Sequence, residues 1–461
     1  MTRVRFAPSP TGYLHIGGAR TALFNYLHIK KNNGKLILRI EDTDIARSDC
    51  KMSEQIIHSL SMLGIKWDEG PFYQSSRLDF YRKYAEQLVA DGKAYYCYCS
   101  AEELKNRAVG KNDWKYDRKC LKNAEEKNSC ERIIRFKVPE NKVITVDDLI
   151  LGKVEFNTEI IEDFVLLKSD GIPTYHLAVV VDDALMGIEL IMRGNDHLSN
   201  TPKQIMLYEA LGKQVPKFAH LPLILGQDKK RLSKRHGAAS VEAFLSDGII
   251  PEALVNYIAL LGWSPPDRRE IMNIDEMIGK FEISAAGKND AIFDYAKLEW
   301  INSQHIMMLS AEKIFDYITA LNSDVLKGSE KKYVVRVIKL LQPRLKKLTE
   351  FESSSEYFFK DDFSIDAAAE KKYLQSEESK YYLKKIYEIY INADFSDEKK
   401  LEELLRAAAE ELNIGAGKLI HPLRVSVSGR TATPGIFEVI STLGKEKTLK
   451  RLEKYFCISV R

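Results

Sequence analysis

The 461-residue sequence predicts an α/β domain with a parallel sheet, which an α+β insertion splits and an all-α C-terminal region follows. Short apolar segments alternate with helical spacing near the N-terminus, and similar signals return further along the chain. The stretch between these two parts is rich in Lys, Glu and Asn, whereas helical spacing dominates the last third. At about 150 residues per domain, the length suggests roughly three domains.

The N-terminal segment contains the signals of a βαβ unit. Residues 4–7 indicate a short buried strand, and apolar side chains at spacings of three and four after Gly17 predict a helix. Asn33 and Gly34 form a plausible helix stop before the apolar residues 36–40. Strand, helix and strand in this order favour a parallel sheet. Comparable signals recur at residues 179–181 and 190–192.

The insertion and the C-terminal region differ from this pattern. Residues 95–170 contain only short strand-like segments, such as 133–138 and 164–167. Pro343 is expected to kink or break the first long helical segment. Two helical faces are predicted there, one of Val334, Val337, Ile338, Leu341, Leu345 and Leu348, the other of Leu401, Leu404, Leu405, Ala408 and Leu412.

Composition excludes several protein classes. The chain is 45% apolar and 29% charged, as in ordinary globular proteins. No apolar run approaches the roughly 20 residues of a membrane-spanning helix, and the N-terminus has no stretch of signal-peptide length. We therefore expect a cytoplasmic protein with no membrane partner. The six cysteines are too scattered for a disulfide framework, and the net charge of +3 is weak evidence about partners.

Residues 7–18, APSPTGYLHIGG, have the features of a phosphate site. His15 precedes Gly17 and Gly18 at a predicted helix start, where missing side chains let a ligand approach the backbone. Helix N-terminal N–H groups favour negative charge, and an imidazole can donate to a phosphate oxygen. The segment is not a Walker loop. The alternative interpretation is an ordinary strand–turn–helix in which the histidine has no functional role.

A second segment, KKRLSKRHG at residues 229–237, places Ser233, Lys234 and Arg235 in a basic loop. Such a loop can hold leaving pyrophosphate electrostatically. A solvated charge run is the usual meaning of such a sequence. The presence of both segments in opposite halves of a split α/β domain favours an ATP site.

These two segments resemble the paired signatures of class I aminoacyl-tRNA synthetases. Further stretches are similar to the bacterial glutamyl-tRNA synthetase family across essentially the whole chain. They include RIEDTD, DEGPFYQSSR, PTYHLAVVVDD, MRGNDHLSNTPKQ and FDYAKLEWIN, followed by PLRVSVSG and TPGIFEVI near the C-terminus.

The resemblance implies ligation of glutamate to tRNA(Glu) through a glutamyl-adenylate, with ATP and Mg²⁺, by a monomer. Neither step requires a protein nucleophile, so catalysis would consist of positioning and electrostatic stabilisation. By similarity, Lys234 contacts the ATP phosphates, His15, Gly17 and Gly18 form the phosphate site, and Asp196 and His197 lie near the nucleotide. The implied glutamate pocket consists of Arg5, Ser9, Glu41, Tyr175 and Arg193, in which the arginines suit carboxylates and Glu41 suits the ammonium.

The resemblance also implies a division into functional regions. The expected boundaries are 1–80 and 171–227 for the two halves of a Rossmann-like catalytic domain, 81–170 for an insertion that binds the tRNA acceptor end, 228–310 for a stem-contact region with the RLSKR loop, and 311–365 and 366–461 for two helical anticodon-binding subdomains.

Four residues of the insertion have the spacing of a zinc site: Cys97, Cys99, Tyr116 and Cys120. Some family members hold zinc here, with either Tyr or His as the fourth ligand. The alternative His position is occupied by Lys122, which cannot bind a metal while charged. The competing interpretation is three free thiols and a core tyrosine.

By analogy of position, anticodon contacts fall on the C-terminal region. Arg344 is a candidate reader of the third anticodon base, since arginine can pair bidentately with a base edge. The simpler interpretation is a solvated basic face that includes Lys346 and Lys347. The PLR and TPGIF motifs add Arg424, Thr433, Pro434 and Ile436.

Several positions depart from the family pattern. Val179 replaces a small polar residue, Ala184 a histidine, and Glu189 a threonine, while Arg231 stands where lysine is more common. We expect these departures to cluster near the amino-acid pocket. Alternative functions are glutamylation of tRNA(Gln) with or without tRNA(Glu), a nucleotidyltransferase that uses no tRNA, and a non-catalytic tRNA-binding paralogue.

Overall fold

The computed structural model describes two compact units. They are Met1–Leu245 with Pro251–Ile301, and Ser246–Ile250 with Asn302–Arg461. The residues that the structure describes are 1–44, 49–109, 115–122, 132–232, 240–321, 323, 326 and 328–456.

Twelve strands occur in the described residues, all in the first unit. In chain order they are β1 (Arg3–Phe6), β2 (Lys35–Ile40), β3 (Glu69–Tyr73), β4 (Ala94–Cys97), β5 (Ile133–Phe136), β6 (Val143–Asp148), β7 (Gly152–Asn157), β8 (Val165–Leu167), β9 (Leu190–Gly194), β10 (Lys217–Leu221), β11 (Ile224–Leu225) and β12 (Ala291–Ile292).

Helices accompany the strands and account for most of the second unit. The first eleven are α1 (Ile16–Lys31), α2 (Cys50–Met62), α3 (Leu78–Ala90), α4 (Ala101–Ala108), α5 (Lys119–Lys122), α6 (Tyr175–Leu185), α7 (Thr201–Ala210), α8 (Val241–Ser246), α9 (Pro251–Leu260), α10 (Ile274–Lys280) and α11 (Tyr295–Met308). The rest are α12 (Ala311–Ala320), α13 (Lys331–Leu341), α14 (Glu350–Phe359), α15 (Ala367–Tyr373), α16 (Glu377–Tyr390), α17 (Glu398–Glu411), α18 (Gly417–Ser428), α19 (Ile436–Leu443) and α20 (Lys445–Glu453). No helix in the described part of the chain has the length and apolar character needed to cross a membrane.

The central sheet has the strand order β3-β2-β1-β9-β10-β6-β7. All neighbours are parallel except β6 and β7, which are antiparallel. This arrangement confirms the predicted α/β fold class. Residues 81–170 do more than interrupt the sheet, because β6 and β7 extend it beyond β10, while β4, β5 and β8 form a separate antiparallel sheet.

The helix that follows β1 begins and ends where the sequence predicts. Asn33 adopts a positive φ of 51° directly after α1. A Cβ on Gly34 would lie 2.4 Å from the Thr2 carbonyl oxygen, so only glycine fits this turn. The apolar segments that recur further along the chain belong to one helix and one strand. Residues 179–181 lie inside α6, and residues 190–192 lie inside β9.

The second unit is helical in its described residues, which confirms the all-α prediction for the C-terminal region. The side chains of the first predicted face are all buried. α13 ends at Leu341, and Pro343 lies in the short 3-10 turn Gln342–Arg344, so the proline ends the helix rather than kinking it. In α17 the predicted residues Leu401, Leu405 and Ala408 are buried.

Candidate active site

A cavity of about 600 Å³ opens at the carboxyl ends of the central parallel strands. This edge is where ligands bind in open α/β sheets. Ten of the predicted glutamate- and ATP-site residues line the cavity, namely Arg5, Ser9, His15, Gly17, Gly18, Glu41, Tyr175, Arg193, Asp196 and His197.

His15 caps the N-terminus of α1. Its Nδ1 accepts a hydrogen bond from the backbone N–H of Gly18 at 3.0 Å, so Nε2 is the ring nitrogen that can donate to a ligand. A Cβ on Gly17 would lie 3.1 Å from the imidazole, and one on Gly18 would lie 3.0 Å from Leu14. The two glycines therefore let the ring fold against a helix end that favours anions.

Arg231 and Asp196 form an ion pair at the rim of the cavity. Arg231 Nη2 donates to Asp196 Oδ2 at 3.1 Å. A Cβ on Gly194 would lie 2.4 Å from Asp196 Oδ1, so the glycine that ends β9 makes room for this carboxylate. Desolvation lowers the pKa of His15, and Arg231 lowers it further, against the opposing effect of Asp196. The imidazole is therefore neutral at neutral pH.

The described residues on either side of positions 233–239 lie at the cavity or contact its lining. Arg231 and Leu232 line the cavity on one side. On the other side, Ser240 forms an isolated antiparallel bridge with His15. Ser233, Lys234 and Arg235 lie outside the described residues.

A buried network of charges supports the inner wall of the cavity. Arg5 Nε lies 3.3 Å from each carboxylate oxygen of Asp183. Arg39 Nη1 donates to the same carboxylate at 2.6 Å, and its Nη2 donates to Glu41 at 3.3 Å. Burial would raise the pKa of Asp183, but Arg39 and Arg5 together hold it below its usual value. The two Nη groups of Arg5 bond no described residue, which leaves them available to a ligand.

Glu41 provides the negative charge of the cavity wall. It follows β2, and its side chain is only 9% exposed. Burial raises the pKa of Glu41, while Arg39 and Arg5 oppose the shift. A cationic group that entered the cavity would favour the ionised carboxylate.

Arg193 and Tyr175 form the opposite wall. Arg193 Nη1 donates to the Tyr175 hydroxyl at 3.2 Å, and that hydroxyl lies 3.2 Å from His197 Nδ1. Burial and the nearby Arg193 lower the pKa of His197 to about 4, so the ring is neutral at neutral pH. Arg193 Nε contacts a buried histidine, His220.

No role was predicted from the sequence for four residues that support the cavity walls: Arg39, Asp183, His220 and Asp148, whose Oδ2 lies 2.7 Å from His220 Nδ1. A signal existed for Asp183, because two aspartates that directly follow three valines in a helix indicate buried, paired carboxylates. No comparable signal marks Asp148 or His220.

The cysteines of the insertion also lie together. The sulfur atoms of Cys97, Cys99 and Cys120 lie within 4.8 Å of one another. Tyr116 joins them, since its hydroxyl lies 3.2 Å from Cys97 Sγ and 3.8 Å from Cys99 Sγ. Lys122 is exposed at the end of α5.

In the second unit, the predicted anticodon residues fall into two groups. Arg344 is exposed and Arg424 is half-buried, and the guanidinium of neither is hydrogen-bonded to a described residue. Burial lowers the pKa of Arg424, and the positive charge of Arg344 lowers it further. Thr433, Pro434 and Ile436 are instead buried at the start of α19.

Comparison with known proteins identifies the family. Residues 1–300 match tRNA synthetases class I (E and Q), catalytic domain. The chain belongs to this family. Residues 309–456 of this class I synthetase match an anticodon binding domain.

Individual relatives of this class I synthetase match over nearly the whole chain. A protein of Caldicellulosiruptor saccharolyticus named glutamate--tRNA ligase 2 is 46% identical and is covered over 98% of each chain. The glutamate--tRNA ligase of Thermodesulfovibrio yellowstonii is 45% identical, over 98% of this chain and 99% of its own. The crystal structure of a glutamate tRNA ligase from Elizabethkingia meningosepticum in complex with its amino acid superposes with a TM-score of 0.89 at 33% identity, over 98% of this chain and 99% of its own.

The departures of this synthetase from the family pattern do not form one cluster. Val179 is buried in α6, four residues from both Tyr175 and Asp183. Glu189 lies before β9, where its backbone N–H donates to the carbonyl of Arg3 at 3.0 Å. Because this is the amino end of the strands, the expectation that Glu189 lies near the amino-acid pocket is wrong. None of Val179, Ala184 and Glu189 belongs to the cavity lining that the structure describes.

Proposed function

We propose that this class I synthetase ligates glutamate to tRNA(Glu), consuming ATP and releasing AMP and pyrophosphate. The observation that carries the proposal is the cavity lining, which places Arg5, Arg193 and Glu41 together with the N-terminus of α1. Glutamate has two carboxylates and one ammonium, and the phosphates of ATP require an anion site. The relatives named as glutamate ligases support the same substrate.

In the proposed pocket, the two arginines receive the carboxylates of glutamate. Arg5 is held by its Nε, so its Nη groups can bind a carboxylate bidentately. Arg193 can bind the other carboxylate, because the described partners of its guanidinium are all uncharged and leave its positive charge unpaired. Glu41 attracts the ammonium, and Ser9 and Tyr175 contribute hydroxyl groups.

ATP would bind with its phosphates at the start of α1. His15 Nε2 donates to a phosphate oxygen, while Gly17 and Gly18 let the phosphates approach the backbone. Asp196 lies beside this site, and the segment with Ser233, Lys234 and Arg235 would hold the leaving pyrophosphate. ATP would enter as its Mg²⁺ complex, which helps to neutralise the phosphate charge.

The first step places the α-carboxylate of glutamate against the α-phosphorus of ATP, and the bond to pyrophosphate breaks. In the second step the terminal ribose hydroxyl of tRNA attacks the carbonyl of the adenylate, and AMP leaves. The protein supplies orientation and fixed positive charge for both steps.

The second unit would bind the anticodon. Arg344 and Arg424 are cations whose charges act on each other and that have no described acidic partner, which suits them to a polyanion and to base edges. Thr433, Pro434 and Ile436 would support this surface through their buried packing. The division of the chain at 1–80, 81–170, 171–227, 228–310, 311–365 and 366–461 stays a prediction, as do the monomeric state and the cytoplasmic location.

The cysteine cluster would hold a structural Zn²⁺. Tetrahedral coordination with Zn–S bonds of about 2.3 Å separates sulfur ligands by roughly 3.8 Å. Cys99 Sγ and Cys120 Sγ lie 3.6 Å apart, which fits this spacing. Cys97 and Tyr116 complete a four-ligand set. The packing of Tyr95, Cys97 and Tyr116 in one small core equally suits the alternative of free thiols around a core tyrosine.

Charging assays with radiolabelled glutamate test the function. Purified tRNA(Glu) and tRNA(Gln) are offered separately. We expect tRNA(Glu) to be charged. Charging of both would select the enzyme with relaxed specificity, and charging of neither, with intact tRNA binding, would identify a non-catalytic paralogue.

A further inference from the structure

The partners of Arg193 are unusual for a buried arginine, because none of them is charged. Its side chain donates to His220 Nε2 at 3.2 Å, the Tyr175 hydroxyl at 3.2 Å, Thr201 Oγ1 at 2.9 Å and the His197 carbonyl at 3.4 Å. Arg193 forms no ion pair with a carboxylate among the described residues. The guanidinium is thus fixed in direction while its charge stays unneutralised.

His220 is the partner that fixes the Nε side of this guanidinium. It lies beside Arg193 because the two residues are register partners in the parallel strands β9 and β10. Its side chain is fully buried. Nε2 must carry a lone pair to accept from Arg193, so in the neutral ring the proton must lie on Nδ1.

Asp148, the last residue of β6, enforces that proton position. Its Oδ2 lies 2.7 Å from His220 Nδ1, and an ionised carboxylate only accepts hydrogen bonds. Its Oδ1 accepts from the backbone N–H groups of Ile150 at 2.9 Å and Leu151 at 2.8 Å. Both oxygens are therefore committed, and the carboxylate cannot turn away from the ring.

We propose that Asp148 and His220 are positioning residues for glutamate, which hold Arg193 toward a substrate carboxylate without competing for its charge. The proposal rests on the proposed function. A carboxylate in the place of His220 would fix the arginine equally well, but it would neutralise the charge that the substrate requires. Asp148 acts one residue further away, where its charge sets the tautomer of the ring. We call the hydrogen-bonded series Asp148–His220–Arg193 the relay. Since β6 belongs to the insertion, the relay also joins the insertion to the glutamate pocket.

Two substitutions of His220 separate this role from simple packing. His220→Gln places an amide oxygen near the Nε2 position, where it can accept from Arg193. His220→Asn places its amide near the Nδ1 position, where it can contact Asp148 but does not reach Arg193. Steady-state charging of tRNA(Glu) is measured for both variants, with glutamate and ATP varied separately.

We expect His220→Asn to raise the KM for glutamate about tenfold or more, the effect of losing a hydrogen bond to a charged group. The KM for ATP should stay at the wild-type value, and His220→Gln should keep the KM for glutamate within about threefold, because a hydrogen bond to the amide oxygen replaces the original one. If both variants raise the KM for glutamate and the KM for ATP equally and also lower the Tm, Asp148 and His220 only stabilise the fold, and the proposal is overturned. Wild-type kinetics in both variants would also overturn it.

Asp148→Asn tests the tautomer. The oxygen of the new amide is required by the backbone N–H groups of residues 150 and 151, so its NH₂ faces the ring and moves the ring proton to Nε2. In ¹⁵N NMR of histidine-labelled protein, the signal that His220→Gln removes should report Nδ1–H in the wild type and Nε2–H in Asp148→Asn. The KM for glutamate should rise in parallel. An unchanged tautomer, or a changed tautomer with an unchanged KM, would contradict the relay.

The two proposals fail in different ways. If the wild-type protein attaches no glutamate to tRNA(Glu), the proposed function is refuted, and this inference falls with it. If the wild type attaches glutamate and the variants His220→Asn and Asp148→Asn have the same KM for glutamate, only the relay is refuted.

Discussion

Arg5 Nε lies 3.3 Å from each carboxylate oxygen of Asp183, and this contact links the first strand of the sheet to α6 behind the cavity. The same carboxylate receives a shorter contact of 2.6 Å from Arg39. Asp183 is therefore still paired when Arg5 is removed. The arginine offered to the ligand and the arginine that stabilises the fold are different residues.

Arg5→Ala should abolish charging with glutamate while the protein stays folded. Loss of one partner of a buried charged pair costs about 2–5 kcal/mol, which corresponds to at least a 30-fold fall in kcat/KM for glutamate. Aminoacylation kinetics and thermal unfolding of the same preparation provide the measurement. Arg3→Ala is the matched control, because Arg3 lies in the same strand but pairs with Glu69. Wild-type activity in Arg5→Ala would remove this residue from the glutamate pocket.

His15→Asn should separate the helix cap from the phosphate contact. Asparagine is a good N-cap, so α1 and the Tm should be preserved. The Nε2 donor is lost, and kcat for charging should fall by roughly 100-fold, as for other donors that stabilise charge in a transition state. His28→Asn, in the same helix but away from the cavity lining, should retain full activity. If His15→Asn charges tRNA at the normal rate, the imidazole is only a cap.

The site was predictable where a short motif carries its chemistry, and it was not where the role depends on a distant partner. His15, Gly17 and Gly18 act within one helix turn, so their arrangement follows from local sequence. Asp183 and Arg5 are 178 residues apart, and His220 and Asp148 are 72 apart. Their roles arise only when strands and helices from different parts of the chain meet.

The fold shows the same limit. The end of α1 at Asn33 and the break at Pro343 follow from local backbone preferences, and both were predicted. The pairing of β6 with β10 was not, since nothing within either segment specifies which edge of the sheet the other will join. Residues 179–181 illustrate a related ambiguity, because three consecutive valines suit a buried helix as well as a strand.

The cysteine cluster should bind one zinc ion per chain. Elemental analysis of the purified protein measures the stoichiometry directly. Cys120→Ser should lose the metal and lower the Tm, because a structural zinc site contributes to folding stability. Cys50→Ser, which changes an exposed cysteine of α2, should do neither. Absence of stoichiometric zinc from the wild type would favour free thiols around Tyr116.

Arg344→Gln should weaken the interaction with tRNA and spare the small substrates. We expect a rise of about 5- to 100-fold in the KM for tRNA(Glu), the cost of losing one base or phosphate contact. The KM values for glutamate and ATP should not change. Lys346→Gln is the control, since Lys346 is exposed close by and carries the same charge. Equal effects of both substitutions would indicate a nonspecific basic face.

The proposed activation of glutamate is tested most directly by glutamate-dependent exchange of pyrophosphate into ATP, measured with and without tRNA(Glu). The cavity is proposed to set glutamate against ATP, and the resemblance implies that tRNA is needed for activation. We expect exchange when glutamate and tRNA(Glu) are both present, and little exchange when either is omitted. Absence of exchange with both present would contradict the central claim, and exchange at the full rate without tRNA would contradict the tRNA requirement.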